Sequence, residues 1–154
     1  MAEQRTAVLT GGCQCGAVRY ALYAEPISGD ICHCRMCQRA VGNLFGTFAG
    51  IGLRDFAWTR GEPVIYRSSS VAERAFCGRC GTPLSFRYLD RDKISVMVGS
   101  LDEPARARPT AQLGMESRVP WLEQALALPG KRTDQDPPPG GLEALVSYQS
   151  SDRD

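Results

Sequence analysis

Three short cysteine groups carry the chemistry of this chain: Cys13 and Cys15 in GGCQCG, Cys32, Cys34 and Cys37 in CHCRMC, and Cys77 and Cys80 in FCGRCG. Thiolates are soft ligands that suit zinc or iron, and all-cysteine tetrahedral sites serve both metals. A structural zinc is closed by four protein ligands, whereas a catalytic one keeps a position open. Seven ligands divide into four and three. The CxCxxC run can bring three sulfurs onto one ion from a single loop and leave one coordination position free. CxC and CxxC each offer two sulfurs, so a shared ion would clamp the N-terminal region to residues 77–80. Gly16, Gly78 and Gly81 lie within or directly behind these groups, where left-handed backbone can turn amide N–H groups toward sulfur and disperse thiolate charge.

His33, the one histidine, lies between two of these cysteines. Alternate side chains of an extended segment face opposite ways, so Cys32 and Cys34 share an ion more easily than either shares one with His33. Three roles stay open for it: a proton carrier beside the metal, since imidazole titrates near neutrality; a fourth ligand; or a ring hydrogen-bonded to backbone. It is counted with Cys32, Cys34 and Cys37 as a candidate catalytic residue.

A disulfide framework is the competing reading of seven thiols. Their odd number, short spacing and the absence of an export signal in MAEQRTAVLT favour metal binding in a reducing compartment. No apolar run approaches the roughly 18 residues that span a bilayer. The expectation is a soluble, cytoplasmic chain with no membrane partner. Eighteen Lys and Arg against 17 Asp and Glu leave a net charge of +1, which argues against nucleic acid as a partner, since phosphate neutralisation needs a strongly basic surface. Nothing in the sequence sets the oligomeric state.

The elements that must position these thiols read as short strands. AVRYAL (17–22), NLFGTFAGI (43–51), PVIYRS (63–68), LSFRY (84–88) and KISVMVG (93–99) are aromatic and β-branched, punctuated by Gly, Pro, Asp and Ser. Helical spacing is confined to QRAVGNLF after Cys37 and to PWLEQALAL (120–128), with Pro at a helix-start position. The fold class is therefore mainly β with little helix, in one domain over residues 1–128. PGKRTDQDPPPGG (129–141) has almost nothing to bury and reads as a mobile connector. The tail beyond it carries one apolar patch (Leu142, Leu145, Val146, Tyr148) that docks, joins a partner chain or frays; residues 129–154 thus form a linker and tail. Arg35, Arg39 and Arg118 are candidates for holding a substrate carboxylate, while Phe45, Phe48, Phe76 and Phe86 are expected in the core and Trp121 in the core or at a lid edge.

In order and spacing, GGCQCGAVRY, CHCRMCQRA, FCGRCGTPL, VGSLD and ESRVPWL resemble the glutathione-dependent formaldehyde-activating enzyme family, also called the centromere protein V-like family, over roughly residues 8–128. The resemblance implies a β-tent fold of largely antiparallel strands clamped by zinc. It implies one structural Zn2+ on Cys13, Cys15, Cys77 and Cys80 and one catalytic Zn2+ on Cys32, Cys34 and Cys37. It also implies a carbon–sulfur lyase or synthase that adds a small thiol such as glutathione to formaldehyde, giving S-hydroxymethylglutathione. Three thiolates leave zinc a weak Lewis acid, so thiol binding suits such a centre better than water activation. Many relatives carry a histidine and an aromatic residue just before ESRxPW, where this chain has Gln112 and Gly114, a departure that bears on substrate if those side chains touch it. The competing functional readings are a non-catalytic zinc module for a protein or chromatin-like partner, as the family's centromere-associated members imply, and a redox-sensing thiol loop.

Overall fold

The computed structural model describes residues 5–150; residues 1–4 and 151–154, the start of the expected domain and the end of the expected tail, lie outside the described residues. Ten short strands among the described residues form two sheets. The smaller is built, in order, from β1 (Leu9–Gly12), β2 (Arg19–Leu22) and β5 (Phe56–Arg60). The larger runs through β10 (Ala111–Leu113), β3 (Ser28–Cys32), β4 (Gly46–Gly52), β9 (Lys93–Met97), β8 (Pro83–Tyr88), β7 (Ala72–Phe76) and β6 (Val64–Arg67). Apart from short 3-10 turns, helix among the described residues is confined to α1 (Arg35–Val41) and α2 (Leu122–Leu126), so the chain is mainly β as its residue pattern requires.

Strand alternation divides the larger sheet into two faces with different duties. Opposed residues of antiparallel strands lie on the same face. One row runs Gly29, Ala49, Val96, Ser85, Ala75 and Ile65, and beside it lie Ile51 and Ile94. Ala49, Ile51, Ile94 and Val96 are buried against Leu9, Tyr20 and Leu22 of the smaller sheet, which makes the core. Each large side chain buried there contributes roughly 1.5–3 kcal/mol. The adjacent row runs Ser28, Gly50, Ser95, Phe86 and Arg74 across five strands, with Cys32 and Lys93 on the same face. It is polar and aromatic, and it faces away from the smaller sheet.

Among the described residues the strand pairings are antiparallel with one exception: β10 runs parallel to β3. A parallel pair needs a crossover connection, and here residues 98–110 supply it. On the way, Leu101 bridges to Gly11, and Asp102 accepts both ends of the Arg19 guanidinium at 3.0 and 2.5 Å and the Thr10 hydroxyl at 2.6 Å. The Ser100 hydroxyl meets that of buried Tyr20 at 2.7 Å. A Cβ on Gly11 would lie 2.5 Å from Ser100 O, so this close passage requires glycine.

Helix α1 begins earlier than the expected segment after Cys37. Cys34 occupies its N-cap and accepts from the Cys37 N–H, so the helix starts inside the cysteine run; Gly42, at φ 63°, ends it. Residues 129–141 are exposed almost throughout and contain one 3-10 turn, Thr133–Gln135. The tail patch at Leu142, Leu145, Val146 and Tyr148 is also exposed, and the tail attaches instead through the Ser150 N–H, 2.7 Å from Gln14 O.

Candidate metal centres and thiol cavity

Cys13 and Cys15 sit in the β1–β2 loop, and Cys77 and Cys80 in the β7–β8 loop. Their four sulfurs lie within 4.8 Å of one another, with Cys13 to Cys15 at 3.6 Å and Cys15 to Cys77 at 3.8 Å, and none is disulfide-bonded. A tetrahedron with Zn–S near 2.3 Å has edges of about 3.8 Å, so this donor set fits zinc. Gly16 (φ 74°) and Gly81 (φ 77°) take the left-handed conformation behind each pair, as their positions suggest. Gly78 does not; its Cβ position is crowded by Val64. Amide donors do reach sulfur: Val18 N–H lies 3.3 Å from Cys13 Sγ. Because one loop belongs to each sheet, the cluster joins the two sheets at their end.

The other three sulfurs form a second group. Cys32 ends β3, Cys34 caps α1 and Cys37 lies in its first turn, again with all sulfurs within 4.8 Å. Among the described residues no fourth histidine, cysteine or carboxylate joins them. The structure thus brings together the two cysteine sets that spacing predicts. Local surroundings set the thiols apart. Burial, assisted by the neighbouring thiols, pushes Cys32 up to about 12. Cys34 falls below the ordinary thiol value because the Cys37 N–H and the adjacent thiols outweigh its burial. Cys37 is raised by burial even though Arg74 donates to its sulfur at 3.4 Å. In the four-sulfur group, the Thr82 hydroxyl and backbone amides overcome burial and lower Cys80 to about 6.

His33 is fully buried and points away from the sulfurs: Nε2 meets Gln112 Oε1 at 2.9 Å, the ring packs on Phe45 and, among the described residues, Nδ1 has no partner. Its backbone is held as well, its N–H bonding Leu113 O and its carbonyl accepting from buried Gln38, which also donates to Ser117 O. Gln112 and Gly114 both bear on this loop. Gly114 is left-handed at φ 65°, and a Cβ there would lie 2.7 Å from Cys34 N.

The three sulfurs line a cavity of about 250 Å³ whose floor is the polar face of the larger sheet. Phe48 and Phe86, expected in the core, form part of its wall while also packing around Cys37 and Met97. The arginines expected to hold a carboxylate are elsewhere. Arg35 is bonded to Gln38, Arg118 is paired with Glu123 at 3.0 Å, and Arg39 lines a neighbouring cavity beyond α1. Helix and turn geometry turn them aside, and Arg74, Arg91 and Lys93 line the thiol cavity instead. Two-residue alternation in β7 and β9 was the signal for Arg74 and Lys93, but it marks a face only once the strand partners are known. Trp121, at the start of α2, is half exposed.

Known proteins resemble this chain over much of its length. A Schizosaccharomyces pombe protein named as an uncharacterized lyase is 35% identical over 79 residues, 51% of this chain and 56% of that relative. A Halomonas elongata protein named as a putative glutathione-dependent formaldehyde-activating enzyme is 26% identical over 130 residues, 75% of this chain and 80% of its own length. A crystal structure of a Rhodobacter sphaeroides protein shares the fold, with a TM-score of 0.55 at 24% identity, covering 67% of this chain and 98% of that one. The family model for glutathione-dependent formaldehyde-activating enzymes matches residues 8–117, a span that holds all seven cysteines. The chain belongs to the glutathione-dependent formaldehyde-activating enzyme family.

Proposed function

We propose that this protein is a zinc-dependent carbon–sulfur lyase or synthase that makes and breaks the adduct of a small thiol with formaldehyde, glutathione being the thiol. The observation that carries this reading is the three-sulfur group opening onto a cavity with no fourth side-chain ligand among the described residues. Family membership and the lyase and formaldehyde-activating names of the relatives support it. At about 250 Å³ the cavity falls just below the usual range of ligand cavities, roughly 300–1,000 Å³, which suits a small thiol better than a nucleotide.

Cys13, Cys15, Cys77 and Cys80 would hold a structural zinc, and Cys32, Cys34 and Cys37 a second one. When bound there, zinc supplies an open coordination position and a positive charge that favours a thiolate at neutral pH. The chain's own residues supply the rest. Arg74 donates to Cys37 Sγ and offsets the negative charge of three clustered thiolates. Phe48 and Phe86 give the cavity an apolar wall that limits water beside the reacting carbon. His33, bonded to Gln112 and off the cavity wall, braces the loop that carries Cys32 and Cys34. In the synthase direction sulfur attacks the formaldehyde carbon, an S–C bond forms, the C=O π bond opens and the proton lost by the thiol ends on the new hydroxyl oxygen. The lyase direction reverses each change.

Two zinc ions per chain are expected in protein purified without added metal. Cys34→Ser should keep its fold, lose one zinc and lose acceleration of glutathione–formaldehyde exchange, followed by exchange NMR above the uncatalysed rate. A single zinc per chain in the unmodified protein would remove the basis of this reading.

A further inference from the structure

The thiol cavity carries more positive charge than its own acids neutralise. Arg74, Arg87, Arg91 and Lys93 line it, against one carboxylate, Asp30. Arg87 is held by Glu73 at 3.1 Å. Among the described residues the other three form no ion pair: Arg74 donates to Cys37 and stacks on Phe86, Arg91 stacks on Tyr88 with its guanidinium 4.7 Å from the ring centroid, and Lys93 donates to the Ser28 hydroxyl at 2.7 Å. Arg74 is engaged with the Cys37 sulfur. Lys93 and Arg91 have only neutral partners, and a partly buried ammonium that meets only a hydroxyl favours an anion beside it.

The position of Lys93 is built into the sheet. It stands opposite Gly52 on β4, and its side chain crosses over Gly50 to reach Ser28 on β3. A Cβ on Gly50 would collide with the Lys93 side chain and lie 2.5 Å from Ser28 Oγ. Glycine at position 50 therefore leaves the channel in which the ammonium lies flat on the cavity floor. Arg91, two residues earlier and exposed at the rim, is oriented by the Tyr88 ring.

We infer that Lys93 and Arg91 form a carboxylate-binding subsite that selects anionic thiols, the carboxylate lying along the sheet floor while the sulfur reaches Cys32, Cys34 and Cys37. This rests on the proposed thiol chemistry and narrows it to thiols that carry a carboxylate. The subsite determines specificity and takes no part in bond making. Cations at the far end of a small cavity also concentrate an anionic ligand, an effect that salt weakens.

Calorimetric titration of the metal-loaded full chain with glutathione and with its diethyl ester, which keeps the thiol and removes both carboxylates, tests the subsite. The ester is expected to bind at least about tenfold more weakly, and added salt to weaken the acid alone. Lys93→Gln and Arg91→Gln should each weaken glutathione several-fold and leave the ester unchanged, while Lys131→Gln, an exposed residue outside the cavity, changes neither. Equal binding of acid and ester, equal weakening of both by Lys93→Gln, or binding of neither overturns the inference. The exchange assay separates this from the lyase reading. Discrimination between acid and ester without accelerated exchange leaves the subsite standing and removes the lyase, whereas equal acceleration for both thiols does the reverse.

Discussion

Cys80 and Cys32 mark opposite ends of the thiol range in this protein. Hydrogen bonds to Cys80 stabilise its thiolate, while burial and adjacent thiols keep the proton on Cys32. A group with a lowered pKa is neutral and slow to alkylate below that value and becomes a reactive thiolate above it. In metal-stripped protein, iodoacetamide is expected to label Cys80 first, with a midpoint at about pH 6, and Cys32 last. Peptide mass spectrometry across a pH series reads both; a Cys80 midpoint near the ordinary thiol value of 9.0 would show that Thr82 does not act as described. Gly114 offers a second test at this scale. Its left-handed backbone and its approach to Cys34 N both exclude a side chain. Gly114→Ala should cost about 1–2 kcal/mol in thermal or urea unfolding and reduce zinc content toward one per chain.

Gln38 shows how elements rather than ligands shape the open group. From the buried side of α1 its carboxamide holds the end of β3 through His33 O at 2.8 Å and the 115–117 turn through Ser117 O at 3.0 Å. Gln38→Ala leaves two carbonyls without a donor and is expected to cost about 1–3 kcal/mol. Because both bonds lie on the three-sulfur side, competition with a chelator should show weaker retention of one zinc and unchanged retention of the other. Much at this scale was legible beforehand: β2, β4, β6, β8 and β9 lie where aromatic and β-branched runs place them. The start of α1 was not, because cysteine is an unusual N-cap and only the sulfur's contact with the Cys37 N–H reveals it. The cavity cations were hidden for another reason. Whether Lys93 or Ile94 faces the core depends on pairing with β4, far along the chain.

For the molecule as a whole, two polar junctions reinforce the core that holds the sheets together. One is the buried pairing of Arg19 with Asp102, which ties β2 to the crossover chain and explains why the separated motifs AVRY and VGSLD belong together. Asp102→Asn removes the negative charge facing the buried Arg19 guanidinium and one of its two acceptor oxygens, and is expected to destabilise the chain by about 1–3 kcal/mol, measured by urea unfolding. The other junction is the four-cysteine cluster. The seven thiols and their division into four and three were readable from spacing, but the joining of two different sheets follows from topology alone. Chelator titration should therefore be biphasic. Early metal loss is expected to abolish exchange activity with little change in Tm, and later loss to lower Tm sharply as the sheets lose their end clamp.

The odd-and-even order of the large sheet also has a consequence for how such a protein can diversify. On β9, Ile94 and Val96 belong to the core while Lys93 and Ser95 face the cavity, and β3, β4 and β8 also present residues to it. A library varied only at 28, 30, 88, 93 and 95 would sample new ligand preferences on an untouched scaffold. A library of equal size at 49, 51, 94 and 96 would sample mainly misfolded chains. Stability and selectivity are interleaved residue by residue along one strand, yet they can be inherited separately.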